Sequence, residues 1–385
     1  MIIKNGLVFT EENNFKSVTL HTKGDLITNV SCDSREPAPS EEIFDAAGCY
    51  VIPGLTDIHF HGCNGHDFCD GTREALDAIA AFELTQGVTS ICPATMTLSE
   101  ETLSHICKNA AEYHKAQDIG AVRKDTSDLI GIHMEGPFIS PHKKGAQNGA
   151  YVQTPSGSKL RRWQKDAEGL IRLISLAPEV PGAISCITEC RDEFRFSIAH
   201  TESDYDTAIK AFAAGADHVT HLYNAMPPFT HRAPGVIGAA SDTPQSFVEL
   251  ICDGVHIAPS VVRATFRLFG DDRVILISDS MEAAGKPDGT YSLGGLKVHV
   301  NGNKATLADD TLAGSVTPLY QCMLTAISMG IPLESAVKAA TINPCRSIGM
   351  DSLYGSIREG KKAHFLILKK DDLSIKAIIK GQQRF

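Results

Sequence analysis

The sequence lacks the features that mark several large classes of proteins. No apolar run is long enough to span a membrane, and the N-terminus, MIIKNGLVFTEENN, has no charged segment followed by an apolar core. We therefore expect neither a signal peptide nor a membrane partner. The chain also has no block of basic residues, and its formal net charge is −10, so nothing in its electrostatics favours nucleic-acid binding.

The eleven cysteines form no recognisable pattern. There is no CxxC pair, and the spacings of Cys186 to Cys190 and of Cys63 to Cys69 are not typical of a zinc site or a disulfide framework. Buried free thiols in a reducing compartment are the simpler interpretation. The sequence therefore predicts a cytoplasmic protein.

What the 385 residues do contain is an alternation of apolar and helical segments. Eight apolar segments are typical of buried strands, and helical patterns such as REALDAIAAFELTQG and DYDTAIKAFAAG separate most of them. The eight are VIPGLTDIHF, GVTSICPA, LIGIHME, LIRLISLAPE, FRFSIAHT, DHVTHLYNA, SFVELICDG and RVILISDS. This pattern predicts an α/β fold whose parallel strands close into a TIM-type (β/α)8 barrel. An open doubly wound sheet is the alternative, but no GxGxxG motif follows an early strand.

The two ends of the chain differ from its middle. Residues 1–50 and 350–385 contain short strand-like segments and charged turns, which predict a small β-sandwich domain built from both termini. Residues 51–349 form the predicted barrel domain. Within it, residues 291–312 contain a hairpin-like segment, YSLGGLKVHVNGNKATL, that we interpret as an insertion after the eighth strand.

Polar residues follow five of the eight predicted strands, at the ends where a barrel carries its functional groups. They are His59, His61, Glu135, His200, His221 and Asp279. His59 and His61 are two positions apart on a strand and therefore face the same side. Each motif alone also has an ordinary interpretation, such as chance for the HxH pair or a loop salt bridge for Glu135. Their convergence predicts a divalent metal site, whereas His218 has the opposite parity to His221 and is expected to be structural.

Five segments, HFHG, HMEGPF, AHTES, THLYNAM and SDSMEAAG, resemble the amidohydrolase superfamily. HMEGPF combined with HKKGA, HLYNAM, DGVHI and LAGS is similar, more narrowly, to the branch that deacetylates N-acetylated amino-sugar 6-phosphates. The resemblance covers nearly the whole chain, and EGPF with HLYNAM is specific to that branch. It implies a deacetylase in which a metal-activated water hydrolyses the N-acetyl amide of N-acetylglucosamine 6-phosphate to glucosamine 6-phosphate and acetate.

The resemblance also implies roles for individual residues in the metal site. Glu135, His200 and His221 match metal ligands, Asp279 matches the catalytic acid/base, and His59 with His61 matches a second metal position. We therefore expect one or two divalent ions per chain, with zinc or iron favoured by the mixture of imidazole and carboxylate ligands. The predicted fourth strand, LIRLISLAPE, has no lysine that could be carbamylated, so Glu135 is expected to bridge two ions.

For the amino-sugar phosphate substrate, the resemblance implies contacts from Ala146, Asn224, Ala225, Arg232, His256, Leu312, Ala313 and Gly314. The planar guanidinium of Arg232 can bind two phosphate oxygens. In the family this arginine can reach the neighbouring subunit's site, so a homodimer is expected. Lys143 and Lys144 are expected to be solvated, whereas Gln147 and His364 depart from the histidine and the acidic residue usual at their positions.

Other functions compete with this one. Dihydroorotase-like and nucleobase-deaminase-like amidohydrolases share the HxH pair and the eighth-strand aspartate, but HMEGPF and HLYNAM argue against them. A deacetylase of N-acetylgalactosamine 6-phosphate, or of another cyclic amide, is an alternative with the same chemistry. A non-catalytic binding protein on the same barrel would be favoured by loss of Asp279 or of the ligands, and all of them are present.

Overall fold

The computed structural model describes residues 1–32 and 42–385, so residues 33–41 of the predicted terminal domain lie outside the described residues. Its centre consists of eight parallel strands that coincide with the eight predicted segments. In chain order, these core strands are Leu55–Asp57, Val88–Ile91, a third strand in two pieces (Asp128–Leu129 and Ile132–Glu135), Ile171–Leu176, Arg195–Ile198, His218–Val219, Phe247–Ile251 and Val274–Ile277. The structure therefore confirms an α/β fold with a parallel sheet.

The core strands pair in chain order. The first pairs with the second and the second with the start of the third, and a six-stranded parallel sheet runs from Ile132–Glu135 to Val274–Ile277. Ala94 and His133 form a parallel bridge between the two sheets. The Asp279 amide donates to the His59 carbonyl at 2.9 Å, which joins the ends of the eighth and first strands. Because the strands are parallel, their C-terminal ends lie at a common edge.

The core strands consist largely of aliphatic residues because both faces of the sheet are buried against other parts of the protein. The four residues of Val274–Ile277 are all fully buried, as expected for a parallel strand packed on two sides. The covering helices are Arg73–Thr85, Glu100–Asp118, Gly157–Asp166, Ala183–Cys190, Tyr205–Ala214, Gly235–Ser241, Pro259–Phe269, Leu319–Ser328, Leu333–Ala340 and Ile342–Ser347, with short 3-10 helices at Phe68–Asp70 and Gly149–Tyr151. None of the helices in the described ranges is long and apolar enough to cross a membrane.

The helix Glu100–Asp118 illustrates how local sequence determines these elements. The side chain of Ser99 caps the helix by accepting a hydrogen bond from the Thr102 amide. The negative charges of two glutamates in the first turn interact favourably with the positive N-terminal end of the helix dipole. Its buried residues include Leu103 and Ile106, which recur at helical spacing along the face that packs on the core.

Strands from both ends of the chain share one sheet. Its order is Gln383–Arg384, Ile375–Lys380, His364–Lys369, Cys49–Pro53, Leu7–Phe9 and Phe15–Ser17. A four-stranded sheet adds Leu26–Ser31, Thr19–Lys23, Ile2–Lys4 and Ile43–Asp45. Apolar side chains from both termini, among them Ile3 and Phe365, pack in a single cluster. The strand Cys49–Pro53 passes through residue 50, the predicted domain boundary.

The predicted insertion after the eighth strand is a meander of three strands, Gly289–Leu293, Leu296–Asn301 and Lys304–Thr306. Leu293 and Val298 of this meander pack with Met96 and Met281 in a separate apolar cluster. A two-stranded ribbon of Gly62–Cys63 and His66–Asp67 follows the first core strand. The meander and the loop after it therefore lie beside the C-terminal ends of the core strands.

Candidate metal centre and active site

The six residues predicted to form the metal site converge at the C-terminal edge of the core strands. Ligand atoms of Glu135, His200 and His221 lie within 4.8 Å of one another, and the same holds for His59, His61 and Asp279. All six residues are buried. The structure therefore brings together the side chains of five different strand ends into two adjoining groups of possible ligands.

Glu135 lies between these two groups. Its Oε1 atom is 3.1 Å from His200 Nε2 and 3.1 Å from His221 Nε2. The same Oε1 is 3.4 Å from His59 Nε2, and Oε2 is 3.4 Å from His61 Nε2. A carboxylate that faces imidazoles on both sides has the geometry to bridge two cations.

Both carboxylates of the site are held in their ionised form. Burial alone would raise the pKa of Glu135, but the charge of His59 and hydrogen bonds from His200 and His221 lower it well below its usual value. Burial likewise opposes ionisation of Asp279, whereas the hydrogen bond and charge of His61 help to lower its pKa. Asp279 Oδ1 is 3.4 Å from His61 Nε2. The site therefore offers negative oxygen atoms together with imidazole nitrogens.

Three of these residues have backbone conformations that side-chain-bearing residues rarely adopt. The φ angles are +42° at His200, +30° at His221 and +49° at Asp279. Such left-handed conformations cost about 1–3 kcal/mol each and occur preferentially at functional sites. Hydrogen bonds to their carbonyls, from the Ser140 amide to His200 and from the Ser315 amide to Asp279, hold two of them in place.

Unpaired imidazole nitrogens test whether the site suits a metal ion. His59 Nε2, His61 Nδ1 and His221 Nδ1 are buried atoms without a hydrogen-bond partner among the described residues. An unsatisfied buried polar atom costs free energy, which a bound ion can offset at His59 Nε2 because that atom faces Glu135. His200 Nδ1 lies 2.8 Å from the Lys143 carbonyl, so in its neutral form the ring can donate there and offer its Nε2 lone pair to a bound ion. This donor set fits a divalent transition metal.

A cavity of about 520 Å³ opens above the metal-site residues. Six predicted substrate residues line it: Ala146, Asn224, Ala225, His256, Leu312 and Gly314. Its volume lies within the range typical of small-molecule sites. Ala313 does not line the cavity, because its side chain packs into the apolar cluster of the inserted meander. Its neighbours Leu312 and Gly314 line the cavity, and the predicted contact of Ala313 with substrate stays a prediction.

The structure does not bring Arg232 to the metal centre of its own chain. This arginine is exposed and lines a different cavity, of about 710 Å³, together with Glu202, Tyr205 and Asp242. A phosphate contact from Arg232 within one chain is therefore not supported by its position. The alternative, in which it reaches the site of a second copy, stays a prediction.

The structure differs from the sequence-based expectations at Lys143 and Lys144 and at Gln147. Lys143 and Lys144, which were expected to be solvated, are half-buried and line the cavity. Gln147 is buried and donates from Nε2 to Glu135 Oε2 at 2.6 Å, while its Oε1 accepts from the Thr97 amide at 2.7 Å. Gln147 therefore holds the carboxylate of Glu135, a role that the sequence analysis did not suggest.

Asp253 is a site residue that the sequence analysis missed. Its Oδ2 accepts from His256 Nδ1 at 2.7 Å, and Oδ1 accepts from the His256 amide at 2.9 Å. Burial alone would lower the pKa of His256, but the hydrogen bond and charge of Asp253 raise it above its usual value. The position of Asp253 directly after the seventh strand was the available signal. Glu249, buried within that same strand, was also missed and contacts His59 Nδ1 at 2.7 Å.

Comparison with known proteins agrees with this geometry. The family model of the amidohydrolase family matches residues 50–384. The N-acetylglucosamine-6-phosphate deacetylase of Bacillus subtilis (strain 168) is 35% identical over 396 aligned positions, which cover 100% of this chain and 97% of that protein. The N-acetylgalactosamine-6-phosphate deacetylase of Escherichia coli O157:H7 is 31% identical, with 83% of each chain covered.

Solved structures show the same similarity. A variant of N-acetyl-D-glucosamine-6-phosphate deacetylase from Mycobacterium smegmatis, in complex with N-acetyl-D-glucosamine-6-phosphate, matches with a TM-score of 0.90 and 30% identity. The match covers 100% of this chain and 98% of that one. The similarity therefore extends over the terminal sheets as well as the core strands.

Proposed function

The chain belongs to the amidohydrolase family, and we propose that it hydrolyses the N-acetyl amide of N-acetylglucosamine 6-phosphate to glucosamine 6-phosphate and acetate. The observation that carries this proposal is the convergence of Glu135, His200, His221 and Asp279 at the floor of one open cavity. Full-length similarity to deacetylases of this specificity supports the choice of substrate.

The metal-site residues would hold one or two divalent ions. Glu135, His200 and His221 would hold one, and His59 with His61 would hold a second, with Glu135 shared between them. When bound, such an ion supplies Lewis acidity, which polarises an amide carbonyl and makes water at the site more acidic. Zinc or iron suits the mixture of nitrogen and oxygen ligands.

Asp279 performs the proton transfers in this proposal. Its ionised carboxylate accepts a proton from the water that attacks the acetyl carbonyl carbon. The same proton then goes to the sugar nitrogen as the carbon–nitrogen bond breaks, so that an amine leaves and acetate remains. One carboxylate can serve both steps in this proposal because Asp279 lies at the cavity wall beside the metal-site residues.

The cavity walls would hold the sugar phosphate. His256, kept in orientation by Asp253, offers a donor with a raised pKa to an anionic or hydroxyl oxygen. The half-buried ammonium groups of Lys143 and Lys144 add positive charge at the cavity wall. Arg232, which is exposed and does not line this cavity, is proposed to bind the phosphate in the site of a second copy, which makes the protein a homodimer.

The finer features of the fold are part of the same proposal. We propose that the core strands close into a (β/α)8 barrel over residues 51–349, and the hydrogen bond from the Asp279 amide to the His59 carbonyl supports closure. The sheets at residues 1–50 and 350–385 would form a separate β-sandwich domain. All eleven cysteines are free, nine of them buried, which suits the proposed cytoplasmic location.

A comparison of substrates tests this function. The purified, metal-loaded protein is assayed for amine release from N-acetylglucosamine 6-phosphate, N-acetylgalactosamine 6-phosphate and unphosphorylated N-acetylglucosamine. We expect the highest kcat/KM for the first. Preference for the galactosamine epimer would favour the alternative suggested by the Escherichia coli relative, and release from none of the three would contradict a deacetylase of this class.

A further inference from the structure

Glu249 is a charged residue inside an otherwise apolar strand. It lies at the centre of Phe247–Ile251, and its side chain is fully buried. Burying a carboxylate costs several kcal/mol unless charged or hydrogen-bonded partners compensate. Its position on the seventh strand therefore requires partners in the interior of the core.

Those partners belong to the metal site. Glu249 Oε2 accepts from His59 Nδ1 at 2.7 Å and from the backbone amide of His221 at 3.1 Å. One oxygen atom thus contacts a predicted ligand from the first strand and another from the sixth. The second oxygen, Oε1, is 3.1 Å from Nε2 of His218, which is also fully buried.

The short contact with Glu249 determines which nitrogen of His59 carries the proton. A carboxylate can only accept, so Nδ1 carries a proton, and in the neutral, ion-binding form of the ring the lone pair lies on Nε2. His59 Nε2 is the atom that faces Glu135, at 3.4 Å, and it has no hydrogen-bond partner in the part of the chain that the structure describes. Carboxylate partners of this kind orient a histidine ligand and increase its basicity.

The other histidine of the pair has no such support. His61 Nδ1 is buried without a hydrogen-bond partner among the described residues. Within the described ranges, His61 is contacted only from its Nε2 side, by Glu135 and Asp279 at 3.4 Å each, whereas the orientation of His59 depends on Glu249. By contrast, His200 is oriented by the Lys143 carbonyl, independently of Glu249.

We propose that Glu249 is the positioning residue of the metal centre, required for tight binding of an ion by His59 and His61 but much less so for the ion held by Glu135, His200 and His221. This inference rests on the metal-dependent function proposed above. In this proposal Glu249, whose ligand atoms lie within 4.8 Å of those of His59 and His133, acts through the ring of His59 and the backbone amide of His221 and not as a ligand of either ion.

Cobalt binding tests this role. The chelated protein is titrated with Co2+, and bound ions are counted by equilibrium dialysis while the visible absorption of each site is recorded. The native chain is expected to bind two ions. Glu249→Gln keeps the length of the side chain and one acceptor oxygen but loses the charge, so it should weaken the second ion by roughly 10- to 100-fold and leave the first ion and its absorption band nearly unchanged. Glu249→Leu, which keeps no acceptor, should weaken it further.

Asp128→Asn is the matched control. Asp128 is a buried carboxylate next to His364, and its pKa is lowered by neighbouring positive charges. It lies at the start of the third core strand, whereas the metal-site residue Glu135 lies at the other end of that strand. The control should bind two ions with native affinity. Thermal unfolding of Glu249→Leu is measured first, and if this variant does not fold, the result for Glu249→Gln decides the question.

Four results would overturn the proposal: native affinity for both ions in Glu249→Gln, equal weakening of both ions, equal weakening in Asp128→Asn, or a native chain that binds one ion only. Amine release is measured on the same native sample. A protein that binds two ions but releases no amine would remove the proposed substrate and leave the role of Glu249 standing.

Discussion

Replacing Asp279 by asparagine separates proton transfer from metal binding. Asparagine has nearly the same size as aspartate but cannot accept the proton of the attacking water. The backbone of residue 279 is held by its amide bond to the His59 carbonyl at 2.9 Å and by the Ser315 amide at 2.7 Å. These bonds do not involve the side chain, so Asp279→Asn should keep the position of the group and change only its chemistry.

The size of the effect follows from the role assigned to Asp279. A positioned acid/base contributes about 10²–10⁴ in rate, which corresponds to about 2.7–5.5 kcal/mol in activation free energy. The lowered pKa of Asp279 means that the native carboxylate is ionised at neutral pH, so the whole contribution is lost on substitution. We therefore expect kcat to fall at least a hundredfold.

The assay measures turnover and metal content on the same samples. Asp279→Asn should retain most of its metal and bind substrate, whereas replacing Glu135, His200 or His221 by alanine should remove the ion together with activity. Near-native turnover in Asp279→Asn would refute the assigned mechanism. Loss of metal in parallel with activity would make Asp279 chiefly a ligand.

Three further substitutions test the remaining parts of the site. His61→Ala should reduce the number of bound metal ions from two to one in elemental analysis after metal saturation, and a native chain that never exceeds one ion would contradict the two-ion site. Arg232→Ala should lower kcat/KM for the phosphorylated substrate by about ten- to a hundredfold, which is the value of a charge-assisted contact. The kcat/KM for the unphosphorylated sugar should hardly change. Equal losses on both substrates, or sedimentation of the native protein as a monomer, would contradict the shared phosphate site. Asp253 raises the pKa of His256 and keeps the ring protonated to higher pH, so Asp253→Asn should move the alkaline rise in KM to lower pH; an unchanged KM profile would show that this ring does not bind substrate.

Much of the metal centre could be predicted because the positions of the strand ends carry the information. The rule that strands of such sheets carry function at their C-terminal ends led to six side chains that the structure brings together, although His59 and His61 lie just after the strand Leu55–Asp57 and not on it as their parity argument assumed. The opposite parity of His218 was equally informative, since this residue is buried next to Glu249 and does not join either group of ligands.

What sequence could not predict depends on contacts between distant strands. Glu249 differs from a surface glutamate only in its apolar neighbours, and its partners come from the first and sixth strands. Ala313 belongs to a loop whose backbone direction decides which residues face the cavity, and periodicity says nothing about loops. The location of Arg232 depends on whether a second copy completes the site, which no property of a single chain determines.

Amine release from N-acetylglucosamine 6-phosphate, before and after metal removal, tests the central claim most directly. Glucosamine 6-phosphate is quantified with the native protein, with the protein after chelation and dialysis, and after one or two equivalents of Zn2+ or Fe2+ are returned. Stoichiometric release of amine and acetate that disappears on chelation and returns with the metal is the predicted result. Release that persists in a protein shown by elemental analysis to be free of metal would contradict it, as would a fully metal-loaded protein that releases no amine.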